Sequence, residues 1–138
     1  MPLEFDANKV ILIGGSAGVG RQVAVDVIDG GGTAVIVGRA KARVDDTVAQ
    51  LRDRHGEAWG IAAELTDRTA VSDVQRTLAE RHSDATLLVN AAGFFIPKPF
   101  IEYDAAFYDS YLEGINSRRQ LTELTHDSHQ HPGGCPKP

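Results

Sequence analysis

Gly14, Gly18 and Gly20, in the run Gly14-Gly15-Ser16-Ala17-Gly18-Val19-Gly20, have the spacing of a phosphate cradle. They follow a short apolar stretch, Lys9-Val-Ile-Leu-Ile13, and lead into helical hydrophobic spacing, so the run reads as a strand-to-helix turn. Gly14 can take the backbone angles that a tight turn demands. Gly18 and Gly20 carry no side chain, so a ligand and the preceding strand can both approach the first helical turn closely. The amide hydrogens there point outward and the helix dipole adds partial positive charge, which suits a phosphate or pyrophosphate. A second group with chemical potential lies far along the chain, where His126, His129, His131 and Cys135 are ligand types that zinc accepts. That segment has no scaffold to fix tetrahedral geometry, so no metal site is expected. His55 and His82 fall at expected helix ends, which predicts surface positions, and Trp59 is expected in the core or packed along an edge.

The turn needs strands and helices to hold it. Buried strands are expected at Lys9–Ile13, Thr33–Val37, Ala58–Ala62 and Thr86–Val89. Between them, Val19, Val23, Val27 and Ile28 predict a helix from Gly18 to Asp29, stopped by Gly30-Gly31-Gly32. Val44, Val48 and Leu51 line a second helix running down to His55-Gly56. Val71, Val74 and Leu78 line a third, with Thr66 or Asp67 as its N-cap. Strands without polar alternation, separated by amphipathic helices, indicate an α/β fold. Right-handed crossovers then predict a doubly wound parallel sheet in the order 3-2-1-4, with the ligand at the carboxyl end of the first strand. Pro97 and Pro99 make Phe94–Phe100 a loop. From Asp104 a further helix is expected, with Phe107, Tyr108, Tyr111, Leu112 and Ile115 as an apolar stripe of core or subunit-interface type.

Composition excludes several function classes. A chain of 138 residues with 42% hydrophobic and 24% charged residues has the makeup of one globular domain, assigned here to residues 1–125. Residues 126–138, rich in glycine, proline and histidine, read as a tail that cannot bury enough surface to order itself. The net charge is −5 and no basic cluster exceeds Arg118-Arg119, so nucleic acid is not an expected partner. The first residues lack both the positive region and the apolar run of a signal peptide, and no stretch approaches membrane-spanning length. The lone Cys135 fits a reducing compartment, and a cytoplasmic location is expected.

The motifs resemble those of the short-chain dehydrogenase/reductase family, NAD(P)-dependent oxidoreductases on a Rossmann-type fold. The family's opening Thr-Gly-x-x-x-Gly-x-Gly is matched by Ile13 to Gly20, with all three glycines in place and Ile13 replacing the threonine. The resemblance assigns the cofactor turn to Gly14, Ser16, Ala17, Gly18, Val19 and Gly20. The family's Asn-Asn-Ala-Gly segment, which borders the cofactor, corresponds to Asn90-Ala91-Ala92-Gly93, and its helical catalytic asparagine to Asn116. Ala63-Glu64-Leu65-Thr66-Asp67 is similar to the adenine-contacting Asp-Leu/Val-Thr stretch, with Glu64 at the aspartate position and Leu65 beside it. In Rossmann units an acid ending the second strand holds the ribose 2′-hydroxyl of NAD. Gly38 stands there and cannot do so, whereas Arg39 offers forked donors to a 2′-phosphate, so NADP is favoured over NAD.

The family's reaction implies Tyr-x-x-x-Lys, which places both groups on one helical face for proton transfer while hydride moves to or from nicotinamide. Tyr103, Tyr108 and Tyr111 are followed four residues on by Phe107, Leu112 and Ile115, none of them lysine. Of the catalytic group only Asn116 is matched. The expectation is therefore the front, cofactor-binding part of such a dehydrogenase, whose reading frame or gene model breaks soon after Asn116. An intact relative would act on a small-molecule carbonyl or alcohol. The alternative is a non-catalytic NADP(H)-sensing or interaction module, and a third reading has a partner chain supplying the missing residues. Without the strands that follow, the fourth strand is an open apolar edge, which predicts self-association or homo-oligomer formation through it.

Overall fold

The computed structural model describes residues 3–92, 99–102, 104–110 and 112. Its strands are the β-branched runs: β1 (Lys9–Ile13), β2 (Thr33–Gly38), β3 (Ala58–Ala62) and β4 (Leu87–Asn90). Its helices are the amphipathic segments between them: α1 (Gly18–Asp29), α2 (Lys41–Asp53) and α3 (Arg68–Arg81). The sheet is parallel throughout and ordered β3-β2-β1-β4, the doubly wound arrangement expected from the pattern. Alternate strand residues face opposite layers. Val10, Leu12, Ala34 and Ile36 pack against Ala24, Val27 and Ile28 of α1 and Val44, Val48 and Leu51 of α2. Ile11, Ile13, Val35 and Val37 pack on the other face against Val71, Val74 and Leu78 of α3. Burial on both faces is why these strands lack polar alternation.

Element ends differ from expectation by a residue or two, for local reasons. Helix α2 stops at Asp53 because His55 adopts φ 63°, a left-handed conformation that no helix continues through. Of the two expected N-cap candidates for α3, Asp67 is the one used, its carboxylate accepting from the Thr69 amide at 2.8 Å. Strand β4 starts at Leu87 rather than Thr86, whose hydroxyl is turned to the Asn8 side-chain oxygen at 2.8 Å.

His82 corrects a sequence expectation. It is 5% exposed, not a surface residue, because its imidazole packs at 5.1 Å against the Trp59 ring on β3. Lys9 Nζ lies over the same indole, 4.5 Å from its centroid, and pairs with Asp84 at 2.8 Å. The aromatic stripe after Asp104 is also not core where it is described. Residues 105–110 are helical, but Tyr108 is 63% exposed and only Phe107 is half-buried. Phe100–Glu102 forms a short 3-10 turn. Tyr103, Tyr111, Ile115 and most of the Phe94–Phe100 loop lie outside the described residues.

Candidate functional site

At the carboxyl ends of β1 and β2 the chain makes the glycine turn, which is fixed from several sides. The Gly14 amide donates to the Val37 carbonyl at 2.7 Å, and the Ala91 amide donates to the Ile13 carbonyl at 2.8 Å. Gly14 has φ +83°, and a Cβ placed there would lie 2.5 Å from the Ala92 amide nitrogen. A Cβ on Gly20 would meet the Gly14 carbonyl at 2.6 Å and the Ala91 methyl at 3.1 Å. These two glycines therefore let β1, α1 and the segment after β4 come together. Gly18 is different: its φ is +57° and, among the described residues beyond its chain neighbours and own helix, no atom lies within 4 Å of where its Cβ would be. It faces open space. From below, the buried Thr47 hydroxyl donates to the Ser16 carbonyl at 3.3 Å, anchoring the turn to α2.

Among the described residues, no side chain caps the amides in the first turn of α1. Its N-cap is Ala17, which makes no capping hydrogen bond, and no acidic residue falls in the first turn. Val19 is 76% exposed beside it. Amides with no side-chain acceptor among the described residues, a bare Gly18 and no acid in the first turn are the features a pyrophosphate requires, so the turn fits that group.

This turn opens into a cleft of about 630 Å³ whose far wall brings Arg39, Glu64 and Leu65 to the glycines. Arg39 Nε lies 4.0 Å from Glu64 Oε2, with the arginine side chain 80% and the glutamate 47% exposed. The other Glu64 oxygen accepts from the Thr66 hydroxyl at 3.0 Å. Leu65 is buried in the core under α3. A Cβ on Gly38 would stand 2.9 Å from Ser16 Oγ and 3.0 Å from Val44 Cγ2, so a side chain there requires the Ser16 hydroxyl to turn aside. Ala91 and Ala92 complete the wall, and Asn90 Oδ1 accepts from the Ala92 amide at 3.2 Å, shaping the strand end. Arg43, in the first turn of α2, also lines the cleft and was not among the residues expected from the sequence. The signal for it is present in the sequence: it lies four residues beyond Arg39. Gly93 and Asn116 lie outside the described residues, as do His126, His129, His131 and Cys135. Among the described residues no group of three or more metal-ligating side chains comes together.

Perturbed titrations fall away from this cleft. Burial, and then the Lys9 charge, pushes the His82 imidazole below its ordinary pKa. Hydrogen bonds from Lys9 and Arg54 hold the Asp84 and Asp29 carboxyls below the usual carboxylate range.

The short chain dehydrogenase family model matches residues 8–117. The chain belongs to the short-chain dehydrogenase/reductase family. Short chain dehydrogenase/reductase dpchG of Colletotrichum higginsianum (strain IMI 349063) is 31% identical over 137 residues, spanning 94% of this chain and 50% of that protein. The short-chain dehydrogenase/reductase homolog YusS of Bacillus subtilis (strain 168) is 27% identical over 104 residues, 74% of this chain and 95% of that protein. Among solved structures, L-sorbose reductase from Gluconobacter frateurii, complexed with NADPH and L-sorbose, superposes with a TM-score of 0.82 at 19% identity. That match covers 94% of this chain and 50% of the reductase. The chain thus spans about half the length of dpchG and of the reductase. It has the fold of NAD(P)-dependent oxidoreductases, and among the described residues no helix is long and apolar enough to cross a membrane.

Proposed function

We propose that this chain holds NADP(H) in the cleft above the glycine turn, as the cofactor-binding part of a short-chain dehydrogenase/reductase. The observation that carries the reading is the uncapped start of α1 beside Gly18, within the same cleft as two arginines. First-turn amides at Gly18, Val19 and Gly20 would bind the pyrophosphate. Ser16 and Ala17 shape the turn, and Arg39 would take a ribose 2′-phosphate, favouring NADP over NAD. Glu64 and Leu65 would border the adenine. Asn90, Ala91, Ala92 and Gly93 would border the nicotinamide side, with Asn116 as the one residue matched to the family's catalytic group.

When bound, the cofactor supplies a hydride for the reversible interconversion of a carbonyl and a secondary alcohol. The 138 residues contain no tyrosine with a lysine four positions later, so nothing in this chain supplies the family's proton transfer. We therefore expect residues 1–125 to act as a dinucleotide-binding unit with 126–138 as a tail, binding without turnover, in the cytoplasm. A small carbonyl or alcohol would be the substrate of a catalytically complete relative. The second reading is a non-catalytic NADP(H)-sensing or interaction module. It is favoured by β4, whose Leu87, Leu88 and Val89 are only half-buried and which pairs with β1 alone among the described residues. Self-association through that edge is the corresponding expectation.

Calorimetric titration of the chain with NADPH and NADH tests the proposal. Saturable binding of one dinucleotide per chain, tighter for NADPH, is expected, with no change in nicotinamide absorbance when carbonyl or alcohol compounds are added. Absence of binding by either dinucleotide would overturn it.

A further inference from the structure

Among the described residues, one hydrogen bond reaches residues 15–18 from outside the glycine turn and its own helix, and it comes from α2. Thr47 is 3% exposed, and its hydroxyl donates to the Ser16 carbonyl at 3.3 Å. That bond departs from the habit of helical hydroxyls, which usually return to a carbonyl three or four residues before their own. Ser72 and Thr77 of α3 do so, at 3.0 Å to the Arg68 carbonyl and 2.9 Å to that of Asp73. Thr47 leaves its helix instead. The turn has reason to need such a tie, because Gly14 and Gly18 both have positive φ and glycine restricts its own backbone least. Gly14 is fixed by the Val37 carbonyl, but Gly18 faces open space, so between them the Ser16 anchor is the fixed point. The anchor also sets a direction. The Ser16–Ala17 peptide is trans, so the Ala17 N–H points opposite to the Ser16 carbonyl and away from the Thr47 hydroxyl. Ser16 and Ala17 line the cleft, whereas Thr47 lines the separate groove between α1 and α2.

We infer that Thr47 is a positioning residue for the dinucleotide: it lies outside the cleft and preorganises the glycine turn by pinning the Ser16 carbonyl. The inference rests on the dinucleotide reading of the cleft and adds to it a determinant on α2, beneath the turn. A loose turn must be ordered when the ligand arrives, at a cost in affinity, and a turn already pinned is spared that cost. The turn meets the pyrophosphate, which NADPH and NADH share. Removing the Thr47 hydroxyl therefore weakens both dinucleotides by the same factor and leaves the preference between them unchanged.

The test is equilibrium titration of NADPH and NADH against the full 138-residue chain and the variants Thr47→Val, Thr47→Ser and, as a control, Thr77→Val. Thr47→Val keeps the shape of the side chain and removes the donor. It is expected to weaken both dinucleotides by about three- to tenfold, the size of one neutral hydrogen bond, with their ratio unchanged. Thr47→Ser keeps the donor and should bind like the unaltered chain. Thr77→Val removes a hydroxyl bonded within its own helix and should leave both affinities as they are. Without ligand, the NMR shifts of the Ser16 carbonyl carbon and the Ala17 amide nitrogen should move in Thr47→Val and return in Thr47→Ser, a signature that lost stability alone does not give. Thermal melts report folding, and Thr47→Ala takes the place of Thr47→Val, with the same expectation, if the valine variant does not fold. The inference is overturned if the chain binds dinucleotide and folded Thr47→Val binds it as tightly, or if Thr47→Ser is as weak as Thr47→Val. Weakening of NADPH alone would equally overturn it. If the unaltered chain binds neither dinucleotide, the dinucleotide reading itself fails and the inference fails with it.

Discussion

Substituting alanine at Gly14 and at Gly18 separates what holds the turn together from what the turn holds. Both residues have positive φ, +83° and +57°, so each substitution carries the left-handed penalty of an L-residue, about 1–2 kcal/mol. Only at Gly14 does the new methyl collide with backbone, at 2.5 Å from the Ala92 nitrogen and 2.6 Å from its Cα. Backbone there cannot rotate aside as a side chain can, and overpacking of this kind costs about 1–3 kcal/mol more. Gly14→Ala is therefore expected to be the less stable variant by about 1–3 kcal/mol. That difference is a large fraction of the roughly 5–15 kcal/mol that stabilises an ordinary domain. Urea unfolding followed by far-ultraviolet circular dichroism measures it, as a larger drop in the midpoint at unchanged slope. The ligand effect should run the other way. Among the described residues beyond its chain neighbours and own helix, the Gly18→Ala methyl meets no atom within 4 Å, and it projects into the space assigned to the pyrophosphate. Gly18→Ala should thus stay folded yet lose NADPH binding. Equal destabilisation by the two substitutions, or full binding by folded Gly18→Ala, would refute this division.

Three further outcomes follow from particular residues. His82 has a pKa lowered by burial, so the unfolded chain binds more protons than the folded one below about pH 6.5. Stability should be complete above that pH and fall as the pH drops toward the lower folded pKa; thermal melts across this range should lose their slope in His82→Leu, and an unchanged slope would contradict the assignment. Asp67→Ala removes the only carboxylate capping α3 and should cost about 1 kcal/mol, read as a lower melting temperature without loss of NADPH binding. Gly38→Asp puts a carboxylate next to Ser16, whose Oγ lies 2.9 Å from the new Cβ, and beside the proposed 2′-phosphate position. It should weaken NADPH far more than NADH in a paired titration, and equal weakening would argue against that position.

Local patterns made the fold legible, and long-range neighbours made the rest illegible. Apolar runs such as Val10–Ile13 and Thr33–Val37 declared buried parallel strands because both sheet faces are covered, and the glycines after Asp29 marked the end of α1 correctly. The ends that shifted did so through single conformations or side-chain bonds, such as φ 63° at His55, that carry no periodic signal. His82 was misplaced because its burial depends on Trp59 and Lys9, which reach it from strands distant in sequence. In the cleft, the glycine spacing identified the turn but treated Gly18 and Gly20 alike, whereas one faces open space and the other sits against the Gly14 carbonyl. Arg43 escaped notice because the motif ends at the strand terminus, while the cleft extends into the first turn of α2.

Where the dinucleotide sits is read most directly by amide chemical-shift mapping during NADPH titration. Shifts should concentrate at Gly14 to Gly20, Arg39 to Arg43, Glu64 to Thr66 and Ala91–Ala92, leaving the groove of Arg21 and Gln50 between α1 and α2 unmoved. Shifts centred on that second groove, with the glycine turn unaffected, would contradict the account.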